Sequence, residues 1–247
     1  MSRESYDRIA AVYATDMGQS MAFDDIGYYR DLCHERGGRT LELGCGTGRI
    51  LLPLLQSGIA ISGIDQSPGM LKQLQQDAQA LGLQPDVSLG SLTAFSSSPY
   101  RTILAPYSVV TYLTNGAELA TFFKTVKKAL SANGLLVVDT FIPRPVQSFS
   151  DFRQDYRRPH AGGTLQREKR ITLLGECNRI ERRYTVLDAM GIELDSWTTL
   201  DEIRPWTEAE LIQAASTNGF SVAAAHGNFS ANRSASDQFV TLHFAPA

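Results

Sequence analysis

Three glycines at alternate positions, Gly44, Gly46 and Gly48, lie between two acids, Glu42 before them and Asp65 after. Alternate glycines clear side chains from a turn and permit positive φ, so a ligand can lie against bare main chain. An acid about twenty residues past the first glycine is placed to take the two hydroxyls of an adenosine ribose. The chemistry indicated is the binding of a nucleoside or nucleotide, and the spacing narrows it. A dinucleotide fingerprint, G-x-G-x-x-G, needs a third glycine for close helix packing over a pyrophosphate. Here the spacing is G-x-G-x-G, and Arg49 stands where that glycine would be. No Walker-type lysine follows, so a P-loop fails too.

These residues need a strand to present them and a helix to receive them. "TLEL" reads as a short strand, "GCGTG" as the turn and "RILLPLLQSG" as a helix stopped by Gly58. "IAISGID" then reads as a buried strand ending in Asp65, and "SPGMLKQLQQDAQALG" as a helix with Ser67 as N-cap and Pro68 at its first position. "DVSLG", "RTILAP" and "LLVVDTF" supply three further strands, with the helix "NGAELATFFKTVKKALSANG" before the last. Strands alternating with helices over residues 39–142 specify a doubly wound α/β sheet, Rossmann-like in architecture. Two helical stretches precede it, an amphipathic one carrying Tyr6, Ile9, Ala10, Tyr13 and Met17 at spacings of three and four, and a second from about Phe23 to Arg36 ended by Gly37 and Gly38.

Beyond residue 142 the rhythm changes. Residues 143–163 read as irregular, and "TLQREKRITLL", "NRIERRYTVLD" and "MGIELDSWTTLDEIRPW" alternate polar with apolar residues, as antiparallel strands with one wet face do. A capped helix, "TEAELIQAASTNG", and the strands "FSVAAAH" and "DQFVTLHF" close the chain. The expected organisation is a helical lid over 1–38, a cofactor-binding α/β core over 39–142, an antiparallel β insertion on the substrate side over 143–205, and core-completing elements over 206–247.

Composition sets the outer bounds. Of 247 residues, 43% are hydrophobic and 20% charged, enough apolar surface for a real core. A net charge of −3 argues against a nucleic-acid binder. Cys33, Cys45 and Cys177 are far apart, show no metal-ligand spacing, and fit a reducing compartment. The charged N-terminus lacks the apolar stretch of a signal peptide, and no run approaches membrane-span length, so a cytoplasmic location is expected.

"LELGCGTGRI" resembles the first motif of class I S-adenosylmethionine-dependent methyltransferases, and "GIDQSPGML" resembles their second. The resemblance extends over nearly the whole chain, through the N-terminal Tyr-Asp helix, the "LSANG" turn and the antiparallel insertion, and is similar to the glycine/sarcosine and amino-sugar types. It implies a seven-strand sheet whose last strand is antiparallel and slots between two others, with S-adenosylmethionine as cofactor and S-adenosylhomocysteine as product. It implies that Glu42, Gly44 and Gly46 lie near the methionine moiety, that Asp65 binds the ribose, and that Gln66 and Met70 flank the adenine. Cys45, Arg49 and Ala105 complete the expected cofactor contacts. After the third strand the family usually places an acid near the adenine amino group. This chain has "LGSLTAF", leaving Ser91 and the Leu92 main chain for that contact.

For the reacting end, "APYS" keeps only Pro106 and Tyr107 of an Asn/Asp-Pro-Pro-Tyr motif, which speaks against a planar amide or nucleobase acceptor. Tyr107 is expected at the methyl-donor pocket or as a packing aromatic. The resemblance implies that Tyr6 and Tyr13 close over cofactor and substrate; by spacing they are equally an apolar helix face. Residues 144–183 hold ten arginines or lysines against five acids. Arg157 and Arg158 are the candidate anion-binding pair there, and Arg167–Arg183 read as solvated surface. His160 and His226 are the candidate bases for an O-methyl transfer, and Phe229 is a candidate acceptor contact. The expected activity is methyl transfer to nitrogen or oxygen of a small molecule or short peptide, by a monomer or homodimer, with no metal. The alternatives are a catalytically silent S-adenosylmethionine-binding regulator and an NAD(P)-dependent oxidoreductase.

Overall fold

The computed structural model describes residues 3–17, 23–95 and 99–247. Residues 1–2 and 18–22 of the expected lid lie outside the described residues. The core sheet has seven strands in the order β10-β11-β5-β4-β1-β2-β3. Strands β1 (Thr40–Leu43), β2 (Ile61–Asp65), β3 (Asp86–Leu89), β4 (Tyr100–Ala105) and β5 (Leu130–Phe141) run parallel. Strand β11 (Phe239–Pro246) runs antiparallel between β5 and β10 (Phe220–Gly227), as the resemblance implies.

Alternate residues of the central strands feed two apolar layers. Ile103 and Val138 face α6 (Gly116–Ala129) and α7 (Glu208–Thr217), while Leu104 and Val137 face α3 (Asp25–Arg36), α4 (Leu51–Gln56) and α5 (Pro68–Ala80). Helix starts are set by local side chains: Ser67 accepts the Met70 N–H, Asn115 the Glu118 N–H, and Thr207 forms a capping box with Glu210. Helix α6 ends at Ala129 rather than at Gly134. Leu130 already pairs with Tyr100, and a register shift before Thr102↔Leu135 takes up the "SANG" residues within β5.

The insertion is a separate antiparallel sheet, β6 (Phe149–His160), β7 (Gly163–Leu174), β8 (Cys177–Leu187) and β9 (Glu193–Ile203). Strand β6 corrects the reading of 143–163 as irregular. Its polar pattern hides a strand because arginine stems and guanidinium groups cover aromatic rings: Arg153 lies over Phe149, and Arg170 and Arg183 over Phe152. Pro159 is tolerated because β6 is an edge strand.

The N-terminal stretch is α1 (Arg3–Ile9), a 3-10 turn at Ala10–Val12 and α2 (Tyr13–Met17), not one helix. It sits between core and insertion, burying Ile9, Ala10 and Val12 with Met70, Leu165 and Tyr184. Polar bonds tie it down on both sides. Asp7 accepts the Ser67 hydroxyl and the Gly69 N–H at the start of α5, and the Ser5 hydroxyl bonds the main chain of Leu200 on β9.

Candidate active site

Two cavities share Tyr112 in their walls, and the N-terminal segment bounds the second of them. The first, about 180 Å³, is a cleft at the C-terminal ends of the parallel strands, where ligands of open α/β sheets bind. Gly44, Asp65, Gln66, Ser91 and Leu92 line it, so those expected cofactor residues are brought together. The Gly46 N–H donates to Asp65 Oδ2 at 2.9 Å, and the Ser67 N–H to Oδ1 at 2.8 Å. Burial raises the Asp65 carboxyl and these main-chain bonds pull it back, so the group is held in place yet keeps lone pairs for further donors.

Gly44 and Gly46 both have positive φ. A Cβ on Gly44 would strike Val109 at 2.7 Å, whereas the space above Gly46 is open. Glu42 is 2% exposed and its Oε2 has no hydrogen-bond partner. Burial pushes its carboxyl up to about 8, against the lowering influence of Arg49. A bare-backbone turn, an oriented carboxylate and a second buried acid lacking one partner together fit an adenosyl amino acid, with vicinal hydroxyls at one end and an ammonium at the other.

The second cavity, about 240 Å³, is bounded by Tyr6, Tyr13 and Asp16 from the N-terminal segment, Tyr107, Thr111 and Tyr112 from the chain after β4, and Arg167, Arg182, Tyr184 and Asp201 from the insertion. The hydroxyls of Tyr6 and Tyr112 bond at 2.5 Å. Asp16 pairs with Arg167 and takes hydrogen bonds from the hydroxyls of Tyr156 and Tyr184, while Arg182 donates to Asp201 at 2.9 Å. Burial raises the phenols of Tyr6, Tyr13 and Tyr107, and takes that of Tyr112 to about 12, so all stay protonated near neutrality.

The wall at Tyr107 is unusual. Tyr107 and Ser108 follow β4 with φ of 52° and 59°, two consecutive non-glycine residues in the left-handed region, each costing on the order of 1–3 kcal/mol. Asp139 on β5 accepts the Ser108 N–H at 2.9 Å, and Arg49 lies 5.4 Å from the centre of the Tyr107 ring.

Several expected residues are placed elsewhere. His160 bonds the Thr15 hydroxyl through Nδ1, and His226 bonds the Tyr28 hydroxyl beside His243; neither lines the tyrosine-rich cavity. Phe229 is 8% exposed and packs in the core with Tyr28, Tyr29 and Phe239. Arg158 donates to the carbonyls of Thr15 and Asp16, and Arg157 points to solvent from β6. Conversely, Arg167 and Arg182, expected as surface, turn inward. On the cofactor side, Met70 is buried against the N-terminal segment, Cys45 packs beneath Gly63, Ala105 is buried in β4, and Arg49 forks onto Asp25.

The structure adds residues that sequence reading missed. Glu118 and Thr93 line the cleft, and the Glu118 carboxylate, which accepts the Thr114 N–H, supplies an acid beside the "LGSL" segment that lacks one. Asp16 and Asp201 were hidden because nothing local distinguishes them; only strand register and the path of the N-terminal segment bring them together.

Residues 40–134 match the family described as "Methyltransferase domain". This segment is a methyltransferase domain. The ubiquinone biosynthesis O-methyltransferase of Azorhizobium caulinodans is 28% identical over 122 residues, 49% of this chain and 47% of that protein. The chain thus spans about half the length of that curated relative. The CcbJ methyltransferase of Streptomyces caelestis superposes with a TM-score of 0.81 over 100% of both chains at 21% identity. The sugar N-methyltransferase KedS8 of a Streptoalloteichus species gives a TM-score of 0.73 at 18% identity, covering 94% of this chain and 91% of its own. The fold around the methyltransferase domain, insertion included, is the one these two methyltransferases have. No helix among the described residues is long and apolar enough to cross a membrane.

Proposed function

We propose that this chain transfers a methyl group from S-adenosylmethionine to a nitrogen of a small polar acceptor. The observation that carries the reading is that a glycine-and-carboxylate cleft shares Tyr112 with an adjoining open cavity walled by tyrosines and two acid–arginine pairs. When bound, the cofactor supplies an electrophilic methyl on a sulfonium. Asp65 would hold the ribose hydroxyls, Glu42 would face the ammonium of the methionine moiety, and Ser91, Leu92 and Glu118 would border the adenine.

The tyrosine-lined cavity would then hold the acceptor. In-line displacement asks the protein chiefly to align the two reactants and keep water out. Tyr6 and Tyr13 close the cavity from the N-terminal segment, which its bonds to α5, β9 and the insertion hold down. Nitrogen is favoured over oxygen because no described histidine lines the cavity, its phenols stay protonated, and Asp16 is engaged by Arg167 and Asp201 by Arg182. An amine that arrives unprotonated needs no base, whereas a hydroxyl benefits from one. The cavity's hydroxyls and paired charges suit a polyhydroxylated amine, and the similarity to a sugar N-methyltransferase agrees with that choice. The three free cysteines accord with a cytoplasmic setting.

Calorimetric binding of S-adenosylmethionine, S-adenosylhomocysteine and NADH, followed by an acceptor screen with amino sugars and their hydroxyl counterparts, tests the reading. Binding of both adenosyl compounds without NADH, and turnover of the amines alone, is the expected result. Binding of NADH instead would overturn the cofactor assignment, and turnover of only the hydroxyl compounds would overturn the choice of nitrogen.

A further inference from the structure

The left-handed turn at Tyr107–Ser108 stands where the two cavities adjoin. Tyr107 and Ser108 line the acceptor side, and Val109 presses against Gly44 on the other. Two consecutive non-glycine residues do not stay in that conformation unless neighbouring groups hold them there. The chain after β4 has few local bonds that could do so. The Val109 N–H closes the turn on the Pro106 carbonyl at 3.2 Å, the Thr111 N–H and hydroxyl both bond the Ser108 carbonyl, and the Ser108 hydroxyl accepts the Phe141 N–H at 2.9 Å, but these leave the N–H groups of Tyr107 and Ser108 to be satisfied.

Asp139 satisfies them. Its carboxylate, wholly buried at the end of β5, accepts the Ser108 N–H at 2.9 Å and a second main-chain bond from Tyr107. Its other oxygen accepts the hydroxyl of Tyr29, itself fully buried on α3. Asp139 lines neither cavity. The same helix steadies the other side of the turn: Asp25 takes the Arg49 guanidinium through two bonds of 3.0 and 2.7 Å, and Arg49 lies against the Tyr107 ring, whose far side stacks on Phe239. Main chain and ring of one residue are thus anchored separately, by Asp139 and by Arg49, and α3 supplies a partner to each of those two side chains.

We propose that Asp139 is a positioning residue: through the main chain of Tyr107 and Ser108 it locks the left-handed turn that sets the Tyr107 ring in the acceptor cavity. Its effect on rate rests on the methyl-transfer reading above; its effect on the turn does not. Asparagine replaces it only incompletely: its one carbonyl oxygen can still accept from the turn, but its NH2 then meets the Tyr29 hydroxyl, which must change from donor to acceptor, and the charge that strengthens every bond is gone. Burial lifts the Asp139 carboxyl to about 6, a cost borne because these donors need an acceptor.

The test compares Asp139→Asn, Tyr29→Phe and the double variant Asp139→Asn/Ser108→Gly. Each is read by hydrogen exchange of the amides of residues 107–111, by S-adenosylmethionine affinity, and by turnover of the acceptor found in the screen. Asp139→Asn is expected to speed exchange in this segment and lower kcat/KM, each by about tenfold, with cofactor affinity within about threefold. Tyr29→Phe keeps the carboxylate and shifts both readings the same way by about threefold. Glycine at position 108 takes the left-handed conformation freely and returns part of the lost rate, although it forfeits the bond to Phe141. A purely structural Asp139 would lower Tm while leaving segment exchange and the rate per folded molecule unchanged, and that result overturns the proposal. So does a rate deepened rather than relieved by Ser108→Gly. If Asp139→Asn does not fold, Tyr29→Phe decides: unchanged exchange and turnover there also overturn it. A wild-type protein that transfers no methyl group counts against the functional reading, while exchange still reports on the turn.

Discussion

The cofactor-side cleft takes Gly44, Asp65, Gln66 and Ser91 from the C-terminal ends of three strands of the parallel sheet and the turns that follow them. The acceptor cavity gathers Tyr13 and Asp16 from the N-terminal segment, Tyr107 from the turn after β4, and Arg167, Arg182 and Asp201 from three strands of a second sheet. The first is built largely of main chain and one oriented acid, the second almost wholly of side chains. A main-chain site needs particular residue types at set spacings, because φ and close approach are local demands. A side-chain site can be assembled from any residues that long-range register happens to align, so its members carry no local mark.

The difference can be probed by removing one group from each region. Asp65→Ala deletes an acceptor of two expected ribose bonds, each worth roughly 1.5–3 kcal/mol for a charged partner. Calorimetry should show S-adenosylmethionine binding weakened by more than about tenfold; unchanged affinity would detach the ribose from the cleft and erase the contrast. On the acceptor side, Arg182→Met takes the guanidinium away from the buried Asp201, while Arg157→Ala alters only the solvent face of β6. The first should raise acceptor KM by about tenfold and lower Tm, and the second should change neither. Equal effects would mean that the acceptor approaches from the outer face of the insertion.

The effect expected at Glu42 is read in stability rather than in turnover. Its folded carboxyl, at about 8, lies above the ordinary 4.5, so the acid favours the folded state most when protonated. That contribution is fully present below pH 4.5 and is lost as pH rises through about 8. Glu42→Gln imitates the protonated form, so its Tm should match wild type near pH 4.5 and exceed it increasingly up to pH 8. A gap that stays constant with pH would show that Glu42 keeps an ordinary carboxyl. The proton also gives a ligand signature: an ammonium arriving beside Glu42 favours its ionised form, so cofactor binding at pH 7 should release a proton, visible as a dependence of binding enthalpy on buffer.

Strand β6 shows where reading the chain fails on the fold itself. Its apolar contacts are guanidinium groups lying on Phe149 and Phe152, so hydrophobic alternation is absent although the strand pairs with β7 nearly throughout. The two histidines expected as bases illustrate the same limit for chemistry. His226 lies at a strand end as the pattern implies, yet Tyr28 from a distant helix captures its Nδ1.

By itself the sequence determined the doubly wound core, the antiparallel insertion and the glycine-and-carboxylate cleft. Periodicity, caps and turn glycines are local requirements, and the residues that meet them stand close together in the chain. Only the tertiary structure decided that Arg167 and Arg182 face inward while Arg157 faces solvent, that Glu118 lines the cleft with Ser91 and Leu92, and that Asp139 accepts the Ser108 N–H of a left-handed turn. Each of those depends on the pleat of a strand or the approach of two elements far apart in the chain. A side chain's composition does not reveal which face it will occupy; the register of its neighbours does.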